Sequence, residues 1–271
     1  MSSLQNSLPE MTQGKITLSQ GDEGTALALG LINGTEPEVK FGHVINAAAV
    51  ATDVWSNGVA QPLYIFPDVA GEGVTIKSTA IGDDQTMIVF GLDVAGLIQT
   101  TSVVLDGTTP VVVPGIWTAI NRVENNDISE FTGVVTVQGD GGTSTNVFAH
   151  LLASDQKTTQ AVYTVPSNKV AIINNYSTAI NRIGGTTVDV EFRLYIAKPG
   201  KVFLSQIVYG LITDATSNIS SDLIVPIPVA PGARIKVRGL PSAINTGISG
   251  EFSMKLVDTS LIPAAILASL L

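Results

Sequence analysis

The chain has 271 residues, of which 45% are hydrophobic and only 14% charged, and it carries a formal net charge of −9. That length accommodates two domains of ordinary size or one large β-domain. An average soluble domain is roughly 25% charged, so much of this surface is expected to be covered by an oligomeric interface or a host assembly.

The acidic balance and scattered Lys and Arg argue against nucleic-acid binding, which needs clustered basic side chains to neutralise phosphate. The absence of cysteine excludes disulfides. No apolar run reaches the roughly 18 residues of a membrane-spanning helix; the longest, Leu261–Leu271, is broken by Pro263 and Ser269. Met1–Gly14 lacks a basic-then-apolar signal pattern, so synthesis and assembly inside a cell are expected. Without a secretory signal, the sequons at Asn33, Asn175 and Asn218 carry no expectation of glycosylation.

In chain order, residues 1–24 read as a polar arm that becomes ordered in an assembly. Weak helical periodicity follows at Val44–Trp55. Short runs rich in Val, Ile, Thr and aromatics, separated by Gly, Pro, Asn and Asp, then predict strands. The first set is Gln61–Phe66, Val74–Ser78, Thr86–Gly91, Thr100–Leu105, Val111–Asn121 and Gly133–Gln138. Residues 139–146, with their Gly, Asp, Thr and Ser, read as a linker. The second set is Val147–Ala153, Gln160–Val165, Lys169–Asn181, Val188–Ile196, Val202–Tyr209, Leu223–Pro228, Arg234–Arg238 and Glu251–Val257. In Val188–Ile196 the charged Asp189, Glu191 and Arg193 share one face, opposite Val188, Val190, Phe192 and Leu194. Arg234–Arg238 and Glu251–Leu256 alternate in the same way. The expected fold is all-β: two tandem β-sandwich, jelly-roll-like domains over 25–138 and 147–258, followed by a short apolar tail, 259–271, with weak helical character.

A four-residue pattern recurs as Thr118-Ala-Ile-Asn121, Thr178-Ala-Ile-Asn181 and Ser242-Ala-Ile-Asn245. It suggests one strand–loop–strand device used three times, with each Asn opening a turn through its own side chain.

Chemistry is sparse. His43, in a turn-like context, and His150, on a strand, lie far apart in sequence and in no metal-ligand spacing. The acidic clusters Asp83-Asp84, Asn125-Asn126-Asp127 and Gly139-Asp140 do not reproduce a calcium loop and read as solvated turns. Tyr163, Tyr176, Tyr195 and Tyr209 read as packing residues or as a contact surface. No nucleophile elbow, phosphate loop or dinucleotide fingerprint is present. The expectation is therefore no catalytic, cofactor-binding or metal-binding residue, no cofactor, and no enzyme activity.

Three stretches carry a resemblance: Phe41-Gly-His-Val with Asp53-Val-Trp-Ser-Asn-Gly58, Thr86-Met-Ile-Val-Phe-Gly-Leu-Asp93, and Gln160-Ala-Val-Tyr-Thr-Val-Pro166. With the turn Leu105-Asp-Gly-Thr-Thr109 between them, they resemble virion structural proteins of tailed bacteriophages, especially phages of aquatic bacteria. The match runs from about residue 41 to 258. It implies a minor capsid, decoration or head-spike protein, assembled in the bacterial cytoplasm and carried in the virion. Its partners would be copies of itself, with a trimer as the expected number, and the major capsid protein or a neighbouring virion protein. No nucleic acid or membrane is implied. The arm 1–24 or the tail Leu261–Leu271 would be the anchor. The alternative is a tail or fibre component that binds host receptor or glycan; a polysaccharide hydrolase is the third reading.

Overall fold

The computed structural model describes residues 26–27, 29–140, 146–153, 155–182, 188–214 and 216–271. The described residues are nearly all β, in antiparallel sheets that form two lobes.

The larger lobe is built from β1 (Thr35–Ala47), β10 (Val162–Thr164), β11 (Lys169–Arg182), β12 (Val188–Ala197), β13 (Leu204–Asp214), β14 (Thr216–Val229), β15 (Arg234–Pro241) and β16 (Thr246–Asp258). One sheet has the order β1-β16-β11-β14 and the other β10-β15-β12-β13, with β2 (Thr52–Asp53) beside β15. Taken in chain order as strands one to eight, the sheets read 1-8-3-6 and 2-7-4-5. That is the double Greek key of a jelly roll. Its core follows from the alternation of each strand. Val190, Phe192 and Leu194 of β12 face Ile173, Tyr176, Phe252 and Met254 from the opposite sheet, all buried.

The smaller lobe is inserted between β1–β2 and β10. Its strands are β3 (Glu72–Ser78), β4 (Thr86–Leu92), β5 (Ile98–Val104), β6 (Val111–Trp117), β7 (Ala119–Asn125), β8 (Val135–Gly139) and β9 (Val147–Leu151). They make a β6-β3-β8-β9 sheet and a β5-β4-β7 sheet around a separate core that includes Ile76, Met87, Val89, Trp117, Phe131 and Phe148. After β16 the chain forms a 3-10 turn, Thr259–Leu261, and the helix α1, Ala264–Leu270.

The expected strands overlap these elements without sharing all of their ends, and four readings differ outright. Val44–Trp55 is not helical: it holds the end of β1 and all of β2, because Val44 and Val54 are drawn into the jelly-roll core. Gln61–Phe66 forms no strand; it crosses between the lobes, tied by side chains. Val111–Asn121 is two strands that lie in different sheets. Residues 139–146, expected to separate a pair of tandem domains, instead connect β8 to β9 within one sheet, where Gln138 pairs with Val147. The sheets accordingly group residues 35–53 with residues 162–258, through the pairing of β1 with β16 from Thr35–Val257 to Ala47–Thr246. The arm, residues 1–24, lies outside the described residues, as do 141–145 of the expected linker.

The lobes meet along a polar and aromatic seam. Lys40 Nζ of β1 donates to the Asn121 carbonyl of β7. Asn121 in turn bonds the Thr164 backbone twice, accepting from its N–H at 2.9 Å and donating to its carbonyl at 3.0 Å. Tyr64 donates its hydroxyl to the Phe148 carbonyl at 2.7 Å and packs edge-on to Trp55. Burial holds the Tyr64 phenol well above its ordinary range. Across the outer face of the second sheet, Asp53 is fully buried against Lys236 and Arg238, while Arg234 donates to the Pro67 carbonyl and stacks over Phe66.

Candidate assembly surface

The outer face of the β1-β16-β11 sheet is shaped by side-chain size. Phe41, His43 and Ile45 project outward from β1; Glu251 of β16 and Ser177 of β11 are level with Phe41, while from His43 onward the neighbours on these strands include the small Ser249, Ala179 and Gly247. A wall of large side chains beside a floor of small ones leaves a groove of about 320 Å³, closed at its end by Asn46 and Asn181. Val44, Ile180 and Ile248 lie buried directly beneath.

A bulge in β1 between Val44 and Ala47 turns both Ile45 and Asn46 outward. Asn46 adopts φ 62°, a left-handed conformation that Asn tolerates better than most side chains. The wall is apolar and open: Val39 is 57% exposed, Phe41 45% and Ile45 52%.

A second apolar surface lies at the far end of the same sheet. Between Thr259 and Leu271 there is no ionisable side chain, and none of the residues of α1 is buried. Leu270 touches the jelly-roll core, whereas Leu261, Ile266 and Leu271 are exposed. Pro263 precedes the helix without a side-chain cap. A helix this short is marginal unless a packed face supports it.

The histidines and acidic clusters occupy separate places. His43 stands mid-strand on the groove wall, not in a turn, with its ring 6.2 Å from Phe41. His150, on β9, has Nδ1 3.3 Å from Ser56 Oγ. Ser56 donates its proton to the His150 carbonyl, a tie between lobes and not the activation of a nucleophile. Burial lowers the His150 pKa, against the opposing field of Asp155. Asp83 is not a solvated turn residue but a buried acceptor for Ser78, Thr132 and Gly133. Asp127 caps the Thr86 N–H, and Asp140 bonds through its N–H to the Gly73 carbonyl. Among the described residues, no group of three or more His, Cys, Asp or Glu is placed to hold a metal ion.

Tyr163 and Tyr176 are buried, Tyr195 lies under Arg238, and the side chain of Tyr209 is outside the described residues. The three repeated Asn residues differ as well. Asn121 is buried in mid-strand, Asn181 sits at the groove end, and Asn245 alone takes a turn conformation, at φ 58°. The groove itself had a local signal, the alternation of Val39, Phe41 and Ile45 with Lys40, Gly42 and Val44.

No described helix is long and apolar enough to cross a membrane. No family model matches this chain, and no curated protein does. Among solved structures it is similar to that of infectious bursal disease virus Gx strain, at 9% identity and TM-score 0.25 over 85% of this chain and 74% of that one. The Gt strain structure is similar at 12% identity and TM-score 0.24, with the same coverage. The T=1 particles derived from that virus are similar at 10% identity and TM-score 0.23, over 85% of this chain and 71% of that one. Likeness at TM-scores this low says nothing about what the chain does.

Proposed function

We propose that this protein is a structural component of a virion, a minor capsid, decoration or head-spike subunit that attaches to the shell and associates with copies of itself. The observation that carries the reading is a jelly roll with uncharged, apolar side chains displayed at both ends of one outer sheet. Jelly rolls recur in viral shells, and exposed apolar patches mark surfaces that another protein covers. The motif resemblance to tailed-phage virion proteins favours the same reading. The low charge content fits a molecule whose surface is largely enclosed by neighbours.

The test is to follow the chain with a specific antibody through gradient purification of particles from producing cells, and to image the particles with gold-labelled antibody. The chain is expected to sediment with particles and to label their surface. Recovery of complete particles that lack the chain rejects the proposal. Label confined to the tail tip, with binding of the isolated chain to host cells, selects the receptor-binding alternative.

A further inference from the structure

We infer that α1 of one copy seats in the β1-β16-β11 groove of the next, so that copies associate head to tail. This rests on the assembly reading above and names its contact. The two surfaces match in chemistry. The groove wall is Phe41, His43 and Ile45 over a floor of Gly247, Ser249 and Ala179, and the helix offers the exposed Ile266 and the half-buried Leu267 with no charge to desolvate. They match in size as well. Three adjacent strands span about 10 Å, close to the diameter of one helix with its side chains.

The helix cannot fill the groove of its own chain. Gly247 lies at the groove and Asp258 at the other end of β16, a separation of about 36 Å along an extended strand. The five residues Thr259–Pro263 together with α1 reach about 28 Å at full extension. The chain does not turn back in any case: Leu261 packs against Gly34, beside the start of β1 and opposite its Ile45 end. Leu270 ties this uncapped seven-residue helix to its own core while Ile266 stays exposed, so a second packed face would stabilise it further, and the groove on a second copy offers one. Because the two halves of the contact are different surfaces, the association is heterologous, and it gives a ring if the rotation between copies closes and an open filament if it does not.

The experiment is sedimentation of the purified full chain alongside Ile45→Asp and Ile266→Asp, both at exposed positions. The wild-type chain is expected to be oligomeric and each variant monomeric, with far-ultraviolet circular dichroism unchanged and a melting temperature that depends on concentration only for the wild type. An equimolar mixture of the variants is expected to form a dimer and nothing larger, since one supplies the only intact groove and the other the only intact helix. A second readout uses the cysteine-free background. A chain with both Ile45→Cys and Ile266→Cys should give a ladder of linked copies with a short bis-maleimide, whereas either single variant, with no cysteine facing its own across the contact, should stay unlinked.

A monomeric wild type, a variant that still oligomerises, or a mixture that stays monomeric overturns the contact. Groove binding of an oligosaccharide by a monomeric chain overturns it too. Particles that still incorporate Ile266→Asp at the wild-type level sink the helix contact and leave the virion reading standing. Particles that lack the wild-type chain sink that reading instead.

Discussion

Lys40 and Asn121 meet across the seam between the lobes: the buried Lys40 ammonium, on the jelly roll, donates at 2.5 Å to the Asn121 carbonyl of the inserted lobe. Burial lowers the Lys40 pKa from 10.5 to about 8. Glu38 acts in the opposite sense, while Arg122 and Lys157 add to the lowering. A base whose folded pKa lies below its unfolded value binds fewer protons folded than unfolded between those two values. Stability therefore rises with pH across that window, and the charge opposes folding below it. The gap corresponds to about 3 kcal/mol in order of magnitude, and the neutral amine remains a donor to Asn121. Urea denaturation of wild type and Lys40→Met at several pH values between about 7 and about 10.5 should show the wild type gaining stability relative to the variant. A difference that stays flat across that range would reject the account.

Asp53 is the anchor of the crossing segment. Its carboxylate accepts from Lys236 at 2.7 Å, Arg238 at 2.6 Å and the Tyr64 N–H at 2.8 Å, and it is fully buried. Asp53→Ala leaves Lys236 buried without its counter-charge, and the expected loss is about 3–5 kcal/mol. Asp53→Leu combined with Lys236→Met removes the fully buried pair, leaves only the more exposed Arg238 without its carboxylate, and should cost less than Asp53→Ala alone. Denaturation midpoints of the three chains decide it; equal losses in single and double variants would mean the pairing is not the cause.

The strands were legible because each half-buried segment alternates locally. The split of Val188–Ile196 into a charged and an apolar face matches its burial residue by residue. What escaped is non-local. β1 reads poorly as a strand because Glu36-Pro37-Glu38 and Gly42-His43 interrupt it, and its partner β16 lies at the other end of the chain. The Gly- and Asp-rich stretch 139–146 has the composition of a linker and of a hairpin connection alike, and only the pairing of β8 with β9 distinguishes the two. Lys236 alternates with Ile235 and Val237 as an outward residue should, yet it is buried by the crossing segment that carries Asp53. The groove arises where large side chains on β1 stand beside small ones on β16 and β11, a juxtaposition set by register between distant strands.

Gly42 marks the closest approach of β1 to the segment beneath it. A Cβ there would stand 2.2 Å from the Val54 carbonyl oxygen and 2.4 Å from the Ala161 nitrogen, two backbone atoms joined by a hydrogen bond of their own. Neither can rotate away, so Gly42→Ala is expected to cost about 1–3 kcal/mol or more through overpacking. Gly82, with open space around it and no positive φ, is the control. Gly82→Ala should be neutral or stabilising by up to about 1 kcal/mol, since it restricts the unfolded chain. The melt of Gly42→Ala should fall while that of Gly82→Ala stays or rises; a Gly42→Ala chain that melts with the wild type would show that the backbone yields easily here.

Asp83 organises the inserted lobe through one carboxylate. It accepts from Ser78 Oγ, from both the N–H and the hydroxyl of Thr132, and from the Gly133 N–H. Burial alone would raise its pKa, but those four donors outweigh it and hold the carboxyl below its ordinary 3.8. For an acid with a depressed folded pKa, the stabilisation is complete above the unfolded value and is lost as pH falls through the folded one. Asp83→Asn keeps the shape, loses the charge and turns one acceptor into a donor facing other donors, at an expected cost of about 1–3 kcal/mol near neutrality. The stability gap between wild type and variant should narrow as pH falls from about 5 towards 2. Near-ultraviolet dichroism in a Trp55→Phe background would leave Trp117, buried in that lobe, as the one tryptophan that follows its unfolding. A gap that is unchanged at acid pH would assign the cost to shape and not to charge.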